Sequence, residues 1–198
     1  MPSNVKHKKV SAKANDPDTS LIRPTNWNEE HLGAVEIMDR DLAQVDVANT
    51  LVETSLYSHS IPAGQLGTTG GIRLTLTGDL LMNVAGDFTL KVKLGATTAI
   101  IQSGVGHTNS ATRYSWKLVI DFLNNADAAI QKWHLDFGAF VNFILTSTTF
   151  GLLGQKVGAS TEDTSSARTI DVTIEWAVAN ASLSFRKEIA ILEELPKV

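Results

Sequence analysis

Arg113-Tyr114-Ser115-Trp116-Lys117-Leu118-Val119-Ile120-Asp121-Phe122 is the stretch on which the fold turns. Tyr114, Trp116, Leu118, Ile120 and Phe122 fall on one side, and Arg113, Ser115, Lys117 and Asp121 on the other. That period of two is the pattern of a strand with one buried face. Beyond the turn-prone Asn124-Asn125-Ala126-Asp127, the pattern returns at greater length in Trp133, Leu135, Phe137, Ala139, Val141, Phe143 and Leu145. The two runs read as paired strands at the centre of a core.

Working outward, the same alternation recurs. Ile72, Leu74 and Leu76 alternate with Arg73, Thr75 and Thr77, and Phe88, Leu90, Val92 and Leu94 with Thr89, Lys91 and Lys93. Near the C-terminus Ile170, Val172, Ile174 and Trp176 form one face. Leu183, Phe185, Ile189 and Ile191 follow, with Arg186 and Glu188 opposite. Weaker segments at Leu51 to His59 and Thr97 to Gln102 bring the total to about eight strands, which argues for an all-β, antiparallel β-sandwich, jelly-roll-like in topology. The expected division is an extended N-terminal arm and linker over residues 1–47 and the sandwich over residues 48–198.

Within the linker, Leu32, Val35, Met38, Leu42 and Val45 are spaced as one helical face requires. Gly33 and the run Asp39-Arg40-Asp41 leave a short helix and an irregular connector both open. Two polar loops interrupt the strands, Gly104 to Ala111 and Thr146 to Ala167. A loop longer than about 15 residues in a compact domain usually has a job. The second one carries Phe150, Leu152, Leu153 and Val157, which are expected to pack on a neighbouring copy of the chain or on the sandwich itself.

Composition narrows the function. The chain of 198 residues has no cysteine, which excludes disulfides, zinc-thiolate sites and thiol nucleophiles and suits assembly in a reducing cytoplasm. Lys plus Arg number 17 against 21 Asp plus Glu, a net charge of −4 that disfavours a nucleic-acid coat. Residues 1–15 hold Lys6, Lys8, Lys9 and Lys13 with no acid, so a basic start precedes an acidic body. No apolar run approaches the roughly 18 to 20 residues that span a bilayer, and no secretory signal opens the chain, so a soluble, unprocessed protein without membrane contact is expected.

The polar start leads to Arg23-Pro24-Thr25-Asn26-Trp27-Asn28-Glu29-Glu30-His31. Pro24 fixes its own φ and biases Arg23 to extended geometry, which presents Trp27 on an extended or turning segment. This arrangement resembles the N-terminal segment of many virion structural proteins of tailed bacteriophages, of head-decoration, head-fibre and tail-fibre type. It departs from them at Asn26, where they carry Asp. The stretch from Thr54 to Gly71, followed by Ile72-Arg73-Leu74-Thr75-Leu76-Thr77-Gly78, is similar to the opening of β-sandwich domains in phage structural proteins. The resemblance implies a virion location, assembly in the host bacterial cytoplasm, a homotrimer, and docking on capsid, connector or tail subunits through the arm. The docking residues would be Lys6, Lys8, Lys9, Arg23, Pro24, Trp27, Asn28 and His31. Fully extended, residues 1–47 reach roughly 150 Å, enough to cross a neighbouring subunit. Four lysines without interleaved aromatics favour a protein partner over nucleic acid, since buried aromatic anchors dominate protein interfaces.

Nothing in the sequence marks chemistry. His7, His31, His59, His107 and His134 are scattered without metal-ligand spacing, so no metal or cofactor is expected. Gly151-Leu152-Leu153-Gly154-Gln155-Lys156-Val157 lacks the Gly-Lys-Ser/Thr of a phosphate loop. Asp121 and Asp136 could approach across the central hairpin as a glycosidase pair would, but both alternate with core residues where a solvated charge is usual. The expectation is a non-enzymatic decoration or head-fibre base protein, since nothing fibrous follows the last strand. A tail or baseplate adaptor and a host-glycan-binding module are the alternatives.

Overall fold

The computed structural model describes residues 35–102, 109–140 and 152–197. Among them lie eleven strands and no helix: β1 (Glu36–Asp41), β2 (Val45–Ala48), β3 (Thr54–Ile61), β4 (Gly71–Met82), β5 (Phe88–Leu94), β6 (Thr97–Gln102), β7 (Ser110–Asn124), β8 (Gln131–Phe140), β9 (Leu152–Ser160), β10 (Arg168–Trp176) and β11 (Leu183–Leu195). The larger sheet runs β1-β11-β4-β7-β8-β9, with β2 also on β11, and the smaller runs β3-β10-β5-β6. Each neighbouring pair is antiparallel. Because β1 lies along residues 190–194 of β11 and β2 along residues 184–187, the two are halves of one edge strand broken at residues 42–44.

Set side by side, β2-β11-β4-β7 and β3-β10-β5-β6 have the strand order of a jelly roll, with the chain passing between the sheets at most of its connections. Strands β8 and β9 are an antiparallel addition that widens the larger sheet beyond β7. The sandwich is closed by side chains from both sheets. The Phe88 ring on β5 lies 5.2 Å from Phe185, 6.2 Å from Phe137 and 5.7 Å from Trp176, each in an edge-to-face arrangement. Trp116 stacks at 4.6 Å on Phe185. Such aromatic pairs add about 0.5 to 1.5 kcal/mol each beyond the area they bury.

The alternating runs of the sequence become β4, β5, β7, β8 and β10 with their apolar faces inward. Three expectations are corrected. Residues 36–48 are neither helix nor linker, and the sandwich therefore begins before residue 48. The apparent helical face breaks up because Met38 and Val45 pack against the core while Val35 and Leu42 are exposed. The second loop contains β9, which escapes an alternation test because Gly154, Lys156 and Gly158 sit opposite Phe137, Leu135 and Trp133 instead of apolar residues. A bulge between Lys187 and Ile189 shifts β11 by one residue. Leu183 and Phe185 face inward, but beyond the bulge Ala190 and Leu192 do so, leaving Ile189 outside. Val141, Phe143 and Leu145, and most of the loop at Gly104 to Ala111, lie outside the described residues.

One end of the sandwich is closed by a buried polar network. Asn124 Nδ2 donates to the Gly67 carbonyl (2.6 Å) and Thr164 Oγ1 (2.9 Å), and Gln131 Nε2 donates to Asn124 Oδ1 (3.0 Å). Ser160 Oγ donates in turn to Gln131 Oε1 at 3.1 Å. Each buried amide thus has partners, which avoids the cost of an orphaned group.

Candidate functional site

The docking residues named from the sequence, Lys6, Lys8, Lys9, Arg23, Pro24, Trp27, Asn28 and His31, lie outside the described residues, as does Phe150. What is described is the root from which that segment departs, Val35 and β1. None of the six residues of β1 is buried. Beyond the ladder to β11 and the packing of Met38 against the core, its attachment is polar. Asp39 Oδ2 accepts the Tyr57 hydroxyl at 2.9 Å, and His59 Nδ1 stands 3.5 Å from the same oxygen. Asp41 Oδ2 accepts from Lys187 Nζ at 2.5 Å, and Asp41 Oδ1 accepts the Ala43 N–H at 2.7 Å.

Lys187 occupies an inward position of β11, and its side chain is 0% exposed. An ammonium taken fully out of water needs a partner, and the Asp41 carboxylate is the one in contact. The hydrogen bond from Lys187 holds the Asp41 carboxyl below its ordinary value. On the other side, burial pushes the Tyr57 phenol well up, with the neighbouring Asp39 and Asp41 charges adding to it. Strand β2 is anchored differently. Val47 is buried, its carbonyl accepts the Trp176 indole N–H at 2.9 Å, and Asp46 accepts from Ser184 Oγ (2.5 Å) and Arg186 (3.0 Å).

On the outer faces, carboxylates are held in ion pairs. Glu53 accepts from Lys91 (2.6 Å), Lys93 and Thr173 Oγ1 (2.7 Å), and the two lysines lead in holding it down to about 2. Asp121 forms a two-pronged pair with Arg73, at 2.7 and 3.0 Å, that raises the guanidinium further. Cross-strand register sets Asp121 opposite His134, and Asp136 opposite Val119. Asp121, weighed above as half of a glycosidase pair and read as a solvated charge, is thus paired with an arginine. A shallow groove of 480 Å³ on the larger sheet is lined by Thr77, Gly78, Asp79, Ser115, Trp116, Lys117 and Glu188, and Asp79 is bound to Arg113 beside it. Among the described residues no three His, Asp or Glu side chains converge as a metal ion would need.

Of the candidate interface residues, Leu152, Leu153 and Val157 all lie on β9, at the edge of the larger sheet. Val157 is 78% exposed and stands opposite His134. The Asp39, Asp41, Tyr57 and Lys187 cluster was not found from the sequence. One signal was present: Lys187 interrupts the apolar series Leu183, Phe185 at the position where a third core residue is due.

No protein-family model and no curated protein matches the chain. Among solved structures it is similar to a chain in the structure of infectious bursal disease virus Gx strain, with 15% identity and a TM-score of 0.33. The match covers 94% of this chain and 47% of that one, so this chain spans about half the length of the chain it matches. The jelly-roll assignment stands on the strand order given above.

Proposed function

We propose that the protein is a non-enzymatic structural component of a virion. The N-terminal segment docks on another virion protein and the jelly roll is displayed outward. The observation that supports this reading is that the described residues between 36 and 195 form both sheets and a shared core, while the four lysines and Trp27 come before them in the sequence. A domain that supplies its own stability leaves the preceding segment available for attachment. The commitment of Asp121 to Arg73 supports a structural role over glycoside cleavage.

In its finer form, the proposal is a tailed-phage head-decoration or head-fibre base protein. Lys6, Lys8, Lys9, Arg23, Pro24, Trp27, Asn28 and His31 contact an acidic capsid surface. Copies close into a ring of three, in which the β9 edge with Val157 is covered by a neighbour, since an uncovered edge strand invites uncontrolled pairing. The test is incorporation. Particles assembled with the full chain or with residues 35–198 are purified and the bound copies counted by quantitative mass spectrometry. Loss of the truncated form from particles is expected, and equal incorporation overturns the docking role.

A further inference from the structure

We propose that β1 is a releasable strap: it lifts from β11 by pivoting at residues 42–44 while β2 and the sandwich stay folded, and acid is the signal that lifts it. This inference is independent of what the segment before residue 35 binds.

The two halves of the edge strand are held by different forces. Strand β2 contributes the buried Val47 and the carbonyl that satisfies the Trp176 indole, so removing it would open the core. Strand β1 buries no side chain. Its ladder to β11 is itself interrupted by a register shift between Ile37 and Asp39. Beside the partly buried Met38, which packs against the core, β1 is held by a polar latch on two carboxylates, each about one-third exposed to solvent. Segments with few buried apolar contacts open locally at a fraction of the free energy of global unfolding.

The groups facing the latch fix its response to pH. Lys187 reaches Asp41 from β11, and Tyr57 and His59 reach Asp39 from β3. Asp41 is held below its ordinary value by Lys187, so its contribution is present above the ordinary carboxylate range, near 3.8, and is lost as pH falls below it. Protonated Asp41 no longer compensates Lys187, whose buried ammonium then gains by reaching water. Lys187 itself stands opposite Val45 at the start of β2, and its bond to Asp41 across the break at residues 42–44 is what ties the end of β1 to it. Lifting β1 also uncovers the hydrogen-bonding edge of β11 along residues 190–194.

The experiment is hydrogen–deuterium exchange on the full chain from pH 6 to pH 3, corrected for intrinsic rates, with residues 36–41 resolved from residues 45–48. Protection of residues 36–41 is expected to fall several-fold over this range, up to about sevenfold for one carboxyl of ordinary value 3.8, while residues 45–48 change little. In Lys187→Met, which removes the buried charge at similar volume, that acid step should be largely lost. Tyr57→Phe, which deletes one latch bond and leaves the ring in the core, should lower β1 protection already at pH 6. The proposal is overturned if β1 and β2 lose protection together, if β1 keeps its protection at pH 3, or if Lys187→Met shows the wild-type acid step.

Discussion

The indole N–H of Trp116 on β7 reaches across β4 to the backbone carbonyl of Arg186 on β11, 3.0 Å away, and is shared with the Asp79 carbonyl at 3.2 Å. It can do so because the strand between them carries Gly78, where any side chain would collide with the Arg186 carbonyl and press on the Trp116 ring. One indole thus pins the bulge that turns β11 by a residue. Trp116→Phe keeps the ring in the core and deletes the donor, and should cost about 1 to 2 kcal/mol in urea unfolding. Gly78→Ala should cost more than that, by about 1 to 3 kcal/mol, because a β-carbon must displace backbone.

Phe88 is the ring on which the two sheets meet, in contact with Phe137 and Phe185 of one and Trp176 of the other. Phe88→Ala should destabilise the sandwich by about 3 to 5 kcal/mol, read from the denaturant midpoint. Val157→Ala, on the exposed face of β9, should leave the midpoint within about 0.5 kcal/mol of wild type.

Glu53 ties the chain before β3 to β5 and β10 through Lys91, Lys93 and Thr173. Its folded value of about 2 lies below the ordinary 4.5, so its contribution is full above pH 4.5 and drains away as pH falls toward 2. Discounted for solvent screening at a side chain 30% exposed, the contribution is about 1 to 2 kcal/mol. Glu53→Gln should remove it at pH 7 and flatten the corresponding part of the stability profile between pH 5 and pH 3, measured by urea titration at each pH.

If Trp27 is the anchor of the docking segment, Trp27→Ala should weaken attachment to particles by about 2 kcal/mol, roughly thirtyfold in dissociation constant. The thermal midpoint of the isolated protein should not move. A lowered midpoint with unchanged attachment would place Trp27 in the fold and not in the interface.

The sequence announces a strand when an apolar face alternates with a solvated one, and β4, β5, β7, β8 and β10 do so. It is silent where other physics fills the inward positions. In β9 the room opposite Trp133 is taken by its ring, so glycine at 158 serves where an apolar residue was sought. In β1 only Met38 packs against the core, beside Asp39 and Asp41, which are satisfied by Tyr57 and Lys187, groups far away in the chain. The bulge in β11 reverses the faces of Ile189 and Ala190, which a fixed period of two cannot follow. The same reasons hid the latch, because each half of it reads alone as a solvated charge. Val157, expected in a loop, stands exposed on strand β9.

The account rests most heavily on a sandwich that needs nothing from the residues before it. Calorimetric unfolding of residues 35–198 beside the full chain tests that directly. A loss of 1 kcal/mol lowers the midpoint of a domain of this size by about 2 to 4 °C, so the account predicts midpoints that agree within about 3 °C. A midpoint lower by about 10 °C or more, or a truncated chain that does not fold, would show the N-terminal segment to be part of the fold and contradict its assignment to docking.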